Sequence, residues 1–185
     1  MQHTKTKILD CTLRDGGYYN AWNFNKNLLK KYFTAIEHST VTYIELGFRF
    51  VDQSSGLGPL AYSSEEFINN LDLPKDKSYG VMINAKDYIT IKDPIDQIKK
   101  TFINAKKSKI SFVRIAVDLP NVSKCKHIAK VLNSLGYSVM VNLMQANLYP
   151  ESELTKIIRM IRAWKIVNVL YFADSLGSML LHDVH

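Results

Sequence analysis

The chain has 185 residues, of which 46% are hydrophobic and 22% are charged, with two cysteines and a formal net charge of +7. This composition is typical of a globular domain, two cysteines exclude a disulfide framework, and no apolar run reaches the roughly 18–20 residues of a membrane span. Residues 1–7 lack the apolar segment of a secretory signal, so we expect a cytoplasmic protein without a membrane partner.

The positive charge does not by itself indicate nucleic-acid binding. The lysines are spread along the chain, and their densest cluster, residues 99–109, contains Phe102 as its only aromatic residue. A solvated helix face explains this pattern better than a nucleic-acid interface does. We therefore expect no nucleic-acid partner.

Six short apolar runs predict β-strands. Each run is nearly continuously apolar, which is typical of parallel strands that are buried on both faces. The predicted strands are Ile8–Cys11, Thr42–Leu46, Tyr79–Ile83, Phe112–Val117, Ser138–Met144 and Val167–Phe172.

Segments with helical periodicity lie between the strands. Asp93 is placed to cap the helix that Pro94 opens, and Gly136 is placed to end the next helix. Residues 53–60 are rich in Gly and Ser and predict a loop. No linker or repeat interrupts the alternation, so we predict a single domain over residues 1–185. The predicted helices are Asn25–His38, Ser63–Asn70, Pro94–Lys107, Asn121–Leu135 and Pro150–Trp164.

Repeated βα units predict a parallel α/β fold, for which two architectures compete. Length favours a doubly wound open sheet, because a (β/α)8 barrel typically needs about 250 residues. The polar residues favour the barrel, since they gather at or near the C-terminal end of nearly every predicted strand. All strand ends of a barrel converge on one site, whereas a doubly wound sheet gathers such residues at its switch point. These polar residues are Arg14, Asp15, Glu45, Asn84, Arg114, Asp118, Asn142, Gln145, Asp174 and Ser175.

The end of the first predicted strand carries two adjacent opposite charges, Arg14 and Asp15. Gly16 and Gly17 follow them and predict a chain reversal. The stretch matches neither GxGxxG nor GxxxxGK[ST], so no phosphate-binding loop is predicted. The charged pair is therefore a candidate site of another kind.

Five motifs in chain order resemble those of the DRE-TIM metallolyase superfamily, which includes 4-hydroxy-2-oxovalerate aldolases, HMG-CoA lyase, isopropylmalate synthase and homocitrate synthase. DCTLRDGG is similar to the first-strand signature of the superfamily, and YIELGF is similar to its second-strand glutamate motif. FVRIAV, VNLMQ and FADSLGSM are similar to strands four, five and six. The resemblance is strongest to the 4-hydroxy-2-oxovalerate aldolase-like members, and it implies a TIM (β/α)8-barrel fold, incomplete after about six βα units.

The resemblance implies roles for the residues of the first two strands. Asp15 matches the metal-binding aspartate, and a carboxylate suits Mg²⁺ or Mn²⁺. Arg14 matches the arginine that stabilises the enolate oxygen, and Glu45 matches the glutamate that orients it. The implied activity is that of a divalent-metal-dependent aldolase or lyase, which cleaves or forms a carbon–carbon bond beside a 2-oxo acid through a pyruvate enolate.

Four further residues are candidates for the same site. Tyr18 stands where the aldolase branch has a histidine that acts as acid and base, and a tyrosine transfers a proton only if its pKa falls well below about 10. Arg114, Asn142 and Gln145 are candidates for substrate binding. A purely structural role stays open for each of these three.

The resemblance also implies metal ligands that this sequence does not contain. The superfamily completes its metal site with an HxH pair on the seventh strand, whereas His182 and His185 are spaced HxxH. We expect a chain that is C-terminally incomplete, with open barrel edges that a partner chain or a second copy would cover. Two alternatives to the aldolase remain: a non-catalytic remnant or assembly piece, and a Claisen-type synthase that uses an acyl-CoA.

Overall fold

The structure is a computed structural model that describes residues 6–53 and 56–181. His182 and His185 lie outside the described residues. The chain forms two compact units, of which the first comprises Met1–Met82 with Lys107–Phe112 and the second comprises Ile83–Lys106 with Val113–His185. No helix within the described part of the chain is long and apolar enough to cross a membrane.

The first unit contains β1 (Leu9–Asp10), β2 (Tyr43–Phe48) and most of β3 (Ser78–Asn84). β1 pairs with β2 and β2 pairs with β3, both in parallel. The carboxyl ends of these strands therefore lie at one edge. Four helices accompany the strands: α1 (Thr12–Asn20), α2 (Lys26–Glu37), α3 (Pro59–Tyr62) and α4 (Glu65–Asn69).

The helix α2 confirms the prediction made from its periodicity. Asn25 caps it by accepting a hydrogen bond from the backbone N–H of Leu28 at 2.8 Å. Its buried side chains are Leu29, Phe33 and Ile36, whose spacing of four and three residues places them on one face.

The second unit contains most of β4 (Phe112–Val117), with β5 (Ser138–Met144) and β6 (Val167–Ala173). β5 and β6 pair in parallel, with Asn142 opposite Tyr171. Its helices are α5 (Ala85–Ile89), α6 (Pro94–Thr101), α7 (Cys125–Ser134) and α8 (Glu151–Trp164), and 3-10 turns occupy Ala105–Lys107, Leu119–Lys124 and Ala146–Leu148.

The ends of α6 and α7 follow the sequence signals only in part. Asp93 accepts a hydrogen bond from the backbone N–H of Asp96 at 2.9 Å, as expected of the cap before Pro94. Gly136 follows α7 with a φ of +93°, which glycine adopts without steric cost. The expected helix Pro94–Lys107 is too long, because Phe102 turns into extended backbone and is buried.

The segment after β2 differs from the expected single helix over Ser63–Asn70. α3 begins at Pro59, inside the predicted loop, and Ser63 ends it with a φ of +37°. The hydroxyl of Ser63 donates to the carbonyl of Leu60 at 3.0 Å, and the side chain of Ser64 then caps α4. A buried serine in left-handed backbone thus divides the segment into two short helices.

The alternation of six strands with helices confirms the expected TIM-barrel fold class in its six-unit form. Within each unit, neighbouring strands are consecutive in the sequence, as in a (β/α)8 barrel. A doubly wound sheet would place strands that are distant in sequence beside one another at its switch point. The prediction of one domain over residues 1–185 stays a prediction.

Candidate functional site

The carboxylate of Asp10 joins the end of β1 to the start of α1. It accepts hydrogen bonds from the backbone N–H of Thr12 at 2.9 Å and from the hydroxyl of Thr12 at 3.0 Å. The hydroxyl of Tyr32 on α2 donates to the same carboxylate at 2.6 Å. Burial and this acceptor raise the pKa of Tyr32, which keeps the phenol protonated. Asp10 therefore fixes the point at which α1 leaves the strand, and Arg14 and Asp15 lie in the first turns of that helix.

Arg14 lies between two carboxylates of the first unit. Its Nε donates to Oε2 of Glu45 at 2.7 Å, and its Nη2 donates to Oδ2 of Asp15 at 3.1 Å. Glu45 is completely buried, whereas the side chain of Asp15 is 59% exposed. Burial alone would lower the pKa of Arg14, but the charge and hydrogen bond of Glu45, with the charge of Asp15, raise it above its ordinary value. The expected contact of Glu45 with Arg14 is present, and the catalytic roles of both residues stay predictions.

The expected chain reversal at Gly16 and Gly17 is wrong, because both glycines lie inside α1. The chain reverses instead at Ala21 and Trp22, whose φ angles are +54° and +57°. A Cβ on Gly17 would lie 2.0 Å from the ring of Trp22. Gly17 is therefore needed because the indole packs directly against the helix backbone.

Tyr18 lies one helical turn beyond Arg14 and on the same face of α1. Its side chain is 64% exposed, and its ring meets the ring of Trp22 edge to face at 4.9 Å. The guanidinium carbon of Arg14 lies 5.7 Å from the ring centre of Phe48, which Tyr18 also approaches, at 6.2 Å. Aromatic rings thus lie beside the guanidinium of Arg14. The acid–base role of Tyr18 stays a prediction.

In the second unit, Arg114 and Asn142 are both buried. The guanidinium carbon of Arg114 lies 5.0 Å from the ring centre of Tyr171, and Tyr171 is opposite Asn142 in the pairing of β5 with β6. These two predicted substrate contacts therefore share one neighbour. Gln145 follows β5 with a φ of +53°, at the start of a 3-10 turn, and is only partly buried.

Two other polar residues at strand ends stabilise the turns that follow them. The carboxylate of Asp118 accepts hydrogen bonds from the side-chain amide of Asn121 at 2.8 and 3.0 Å. The carboxylate of Asp174 accepts the backbone N–H groups of Ser178 and Met179, both at 2.8 Å. These two hydrogen bonds lower the pKa of Asp174. Both carboxylates are therefore engaged locally.

The described residues do not fit a complete divalent-metal site. Over residues 6–53 and 56–181, no three His, Cys, Asp or Glu side chains lie close enough together to hold a metal ion. Asp15 supplies one exposed carboxylate, and the guanidinium of Arg14 already pairs with it. The metal expectation therefore stays a prediction that needs further ligands.

Two curated proteins are similar to this chain over nearly its whole length. The chain is 26% identical to the 4-hydroxy-2-oxovalerate aldolase of Geobacillus genomosp. 3 over 180 residues, which are 96% of this chain and 51% of that protein. It is 22% identical to the oxaloacetate decarboxylase of Mycobacterium tuberculosis (strain ATCC 25618 / H37Rv) over 183 residues, which are 98% of this chain and 51% of that protein. No protein-family model matches the chain.

A solved structure extends the likeness to the fold. The crystal structure of the N-terminal domain of a protein classed as an aldolase, from Bacteroides vulgatus, superposes with a TM-score of 0.83 and 27% identity, over 97% of this chain and 57% of that one. The chain is thus similar to aldolase-type proteins in both sequence and fold, as the resemblance to the DRE-TIM motifs predicts. It spans about half the length of the curated superfamily relatives that it matches.

The resemblance to the DRE-TIM motifs assigned no role to three residues that shape the site. Asp10 could have been found, because Asp-x-Thr at a strand end is typical of a turn in which the aspartate side chain accepts a hydrogen bond from the backbone two residues later. Trp22 could not, because nothing local shows that its ring folds back onto Gly17. Arg49 is completely enclosed, pairs with Glu65 at 2.6 Å and secures the segment of α3 and α4. Its position in the apolar stretch after β2 was a usable signal, since a buried charge requires a partner.

Proposed function

We propose that this chain carries the enolate-stabilising part of a carbon–carbon lyase that acts on a 2-oxo acid. One observation carries the proposal: the guanidinium of Arg14 is fixed by the buried carboxylate of Glu45, beside the exposed carboxylate of Asp15. A fixed cation at the carboxyl end of a strand suits an oxyanion that develops during a reaction.

The names of the two curated relatives point to one intermediate. A 4-hydroxy-2-oxovalerate aldolase breaks the C3–C4 bond of its substrate, and an oxaloacetate decarboxylase breaks the bond from C3 to the departing carboxylate. In both reactions the electron pair of the broken bond moves into a C2–C3 double bond, and the C2 oxygen becomes the oxyanion of pyruvate enolate. In the aldolase reaction the C4 hydroxyl loses its proton as the other fragment leaves as an aldehyde, and in the decarboxylase reaction the carboxylate leaves as CO₂. In both, a proton then returns to C3. The two reactions therefore require the same oxyanion stabilisation.

The residues of the chain have separate roles in this proposal. Arg14 binds the enolate oxygen, and Glu45 holds Arg14 in place. Tyr18, one turn further along α1, is the candidate that transfers the proton. Substrate binding by Arg114, Asn142 and Gln145 stays a prediction from the sequence motifs.

Asp15 is the candidate ligand for Mn²⁺ or Mg²⁺. When bound, such an ion would polarise the 2-oxo group of the substrate. The remaining ligands would have to come from outside the described residues. The roles proposed for the arginine, the glutamate and the tyrosine do not depend on the ion.

Exchange of the methyl protons of pyruvate with D₂O, followed by proton NMR, tests the proposal. We expect the chain with Mg²⁺ to exchange these protons faster than buffer alone does. Arg14→Gln should lower this exchange rate at least roughly a hundredfold, the typical effect of removing an oxyanion donor. Arg159→Gln, on the exposed side of α8, is the matched control. A folded Arg14→Gln protein that exchanged at the wild-type rate would contradict the role of Arg14.

We further infer that another polypeptide segment covers β6. The interior residues of β5 are buried, whereas no residue of β6 is fully buried, and Phe172 is 48% exposed. A strand that is apolar and incompletely covered invites pairing with another chain. A second copy of the chain is proposed as the occupant. Light scattering of the purified chain should therefore show an assembly larger than 21.2 kDa. Phe172→Lys should shift that assembly toward the monomer. A strictly monomeric wild-type chain would exclude self-association.

A further inference from the structure

The indole of Trp22 reaches the backbone of the residue on which the proposed function depends. Its Nε1–H donates to the carbonyl oxygen of Arg14 at 3.0 Å, and the indole is almost completely buried. Arg14 is thereby held at two points, since Glu45 accepts from its side chain and Trp22 donates to its backbone. Holding only the guanidinium would leave the helix turn beneath it able to shift.

The backbone that carries Trp22 is itself constrained. Ala21 and Trp22 both have positive φ angles, which are uncommon for residues with side chains. Such angles cost free energy, so they persist only where the surroundings enforce them. The backbone N–H of Gly58 donates to the carbonyl of Ala21 at 2.7 Å. A Cβ on Gly58 would lie 2.3 Å from the carbonyl oxygen of Trp22, so only glycine permits this approach.

The same indole supports the candidate proton donor. The ring of Tyr18 meets that of Trp22 edge to face, with centroids 4.9 Å apart. The indole also meets Phe48 at 5.7 Å and Phe50 at 5.5 Å, both edge to face. Aromatic pairs in this geometry stabilise each other beyond the effect of their buried area. Trp22 thus contacts both Arg14 and Tyr18, whereas its own burial keeps it from contacting a substrate.

We propose that Trp22 is a positioning residue, which sets the place of Arg14 through its Nε1–H···O hydrogen bond and the place of Tyr18 through ring contact. The consequence for catalysis rests on the proposed function, but the positioning itself does not. Its readout can therefore be a property of Arg14 that is measurable without turnover.

The Nε–H group of Arg14 provides that readout. In a ¹⁵N–¹H spectrum of the full chain, its signal can be assigned by its loss in Arg14→Lys, and its exchange with water reports how firmly it is held against Glu45. We expect Trp22→Phe to accelerate this exchange by roughly fivefold or more, the factor that an ordinary hydrogen bond is worth. Trp164→Phe, which removes the other buried indole, should leave it unchanged. A folded Trp22→Phe protein with the wild-type exchange rate at Arg14 would overturn the proposal.

A second variant covers the case in which Trp22→Phe does not fold. Replacing Trp22 by benzothienylalanine, in the Trp164→Phe background, keeps the bicyclic ring and removes only the N–H group. Faster exchange at Arg14 with unchanged amide exchange in β2 supports the proposal, and unchanged exchange at Arg14 overturns it. If pyruvate exchange is absent from the wild-type chain while the Arg14 signal responds to Trp22, the proposed function fails and the positioning stands.

Discussion

Arg14 donates from Nε to Oε2 of Glu45 at 2.7 Å, and Glu45 is completely buried. A carboxylate without solvent contact is tolerated only with charged or hydrogen-bonding partners. The pair thus joins the first turn of α1 to the middle of β2, so that stability and the proposed chemistry depend on the same contact.

Removing the charge of Glu45 should destabilise the chain. We expect Glu45→Gln to lower the free energy of unfolding by roughly 3 kcal/mol, the lower end for breaking a buried ion pair, because Arg14 keeps Asp15. Urea unfolding measures the change, and Glu66→Gln on the exposed face of α4 is the control. A loss no larger than that of the control would show that the pair is not what holds α1 to β2.

Replacing each of the two adjacent glycines of α1 by alanine should change the stability of the chain in opposite directions. A Cβ on Gly17 would lie 2.0 Å from the ring of Trp22, so Gly17→Ala should cost about 1–3 kcal/mol through overpacking. A Cβ on Gly16 meets only the ring of Phe24, at 3.5 Å, so Gly16→Ala should stabilise the helix by about 0.5–1 kcal/mol. Thermal unfolding of both variants measures the contrast; equal shifts of the midpoint would refute it.

Asp15 should matter for ligand binding and little for folding. Because its side chain is 59% exposed, we expect Asp15→Asn to change the free energy of unfolding by less than about 1 kcal/mol. Any rise in the unfolding midpoint that Mn²⁺ produces in the wild-type chain should disappear in this variant. Asp96→Asn removes another exposed carboxylate that pairs with a cation, Lys100, and is the control. A metal shift that survives Asp15→Asn would remove Asp15 from the metal site.

The hydroxyl of Tyr18 can be tested separately from its ring. Tyr18→Phe keeps the contact with Trp22 and removes the transferable proton, so we expect pyruvate proton exchange to fall by roughly a hundredfold or more. Tyr19→Phe changes a neighbouring tyrosine that is 95% exposed and should leave the rate unchanged. Equal rates for the two variants would assign proton transfer to another group.

The turn after β6 should loosen in acid. The backbone N–H groups of Ser178 and Met179 hold the pKa of Asp174 below its ordinary value near 4. The stabilisation is therefore complete above that ordinary value and is lost as the pH falls through the lower pKa of the folded state. Amide signals of Ser178 and Met179, followed by NMR against pH, should change only below about pH 4. Asp174→Asn should remove the transition, and a transition at higher pH would contradict the assignment.

The sequence predicted the strands well because buried parallel strands are continuous apolar runs. Two predicted strands coincide with β4 and β5 to the residue, and the others agree within two residues at each end. The helix α1 was missed because Gly16 and Gly17 indicate a turn in local terms. The ring that makes glycine necessary there comes from Trp22, and its approach depends on the tertiary fold.

The candidate site was predictable to a similar degree. The motifs DCTLRDGG and YIELGF indicated that Arg14 and Glu45 meet, and the structure places them in contact. The hydrogen bond of Trp22 to the backbone of Arg14 could not be foreseen, because it depends on left-handed backbone at Ala21 and Trp22. A reversal built from two non-glycine residues carries no sequence signature of its own.

The contact of Gly58 with the reversal at Ala21 and Trp22 limits how this segment can be transplanted. The conformation of residues 12–24 depends on a glycine far downstream, which donates to Ala21 and leaves room for the carbonyl of Trp22. A chimaera that grafts the arginine–aspartate segment alone onto another barrel would lack this support. The two stretches form one module, and exchanging them together is the route by which the geometry around Arg14 can be carried to a new scaffold.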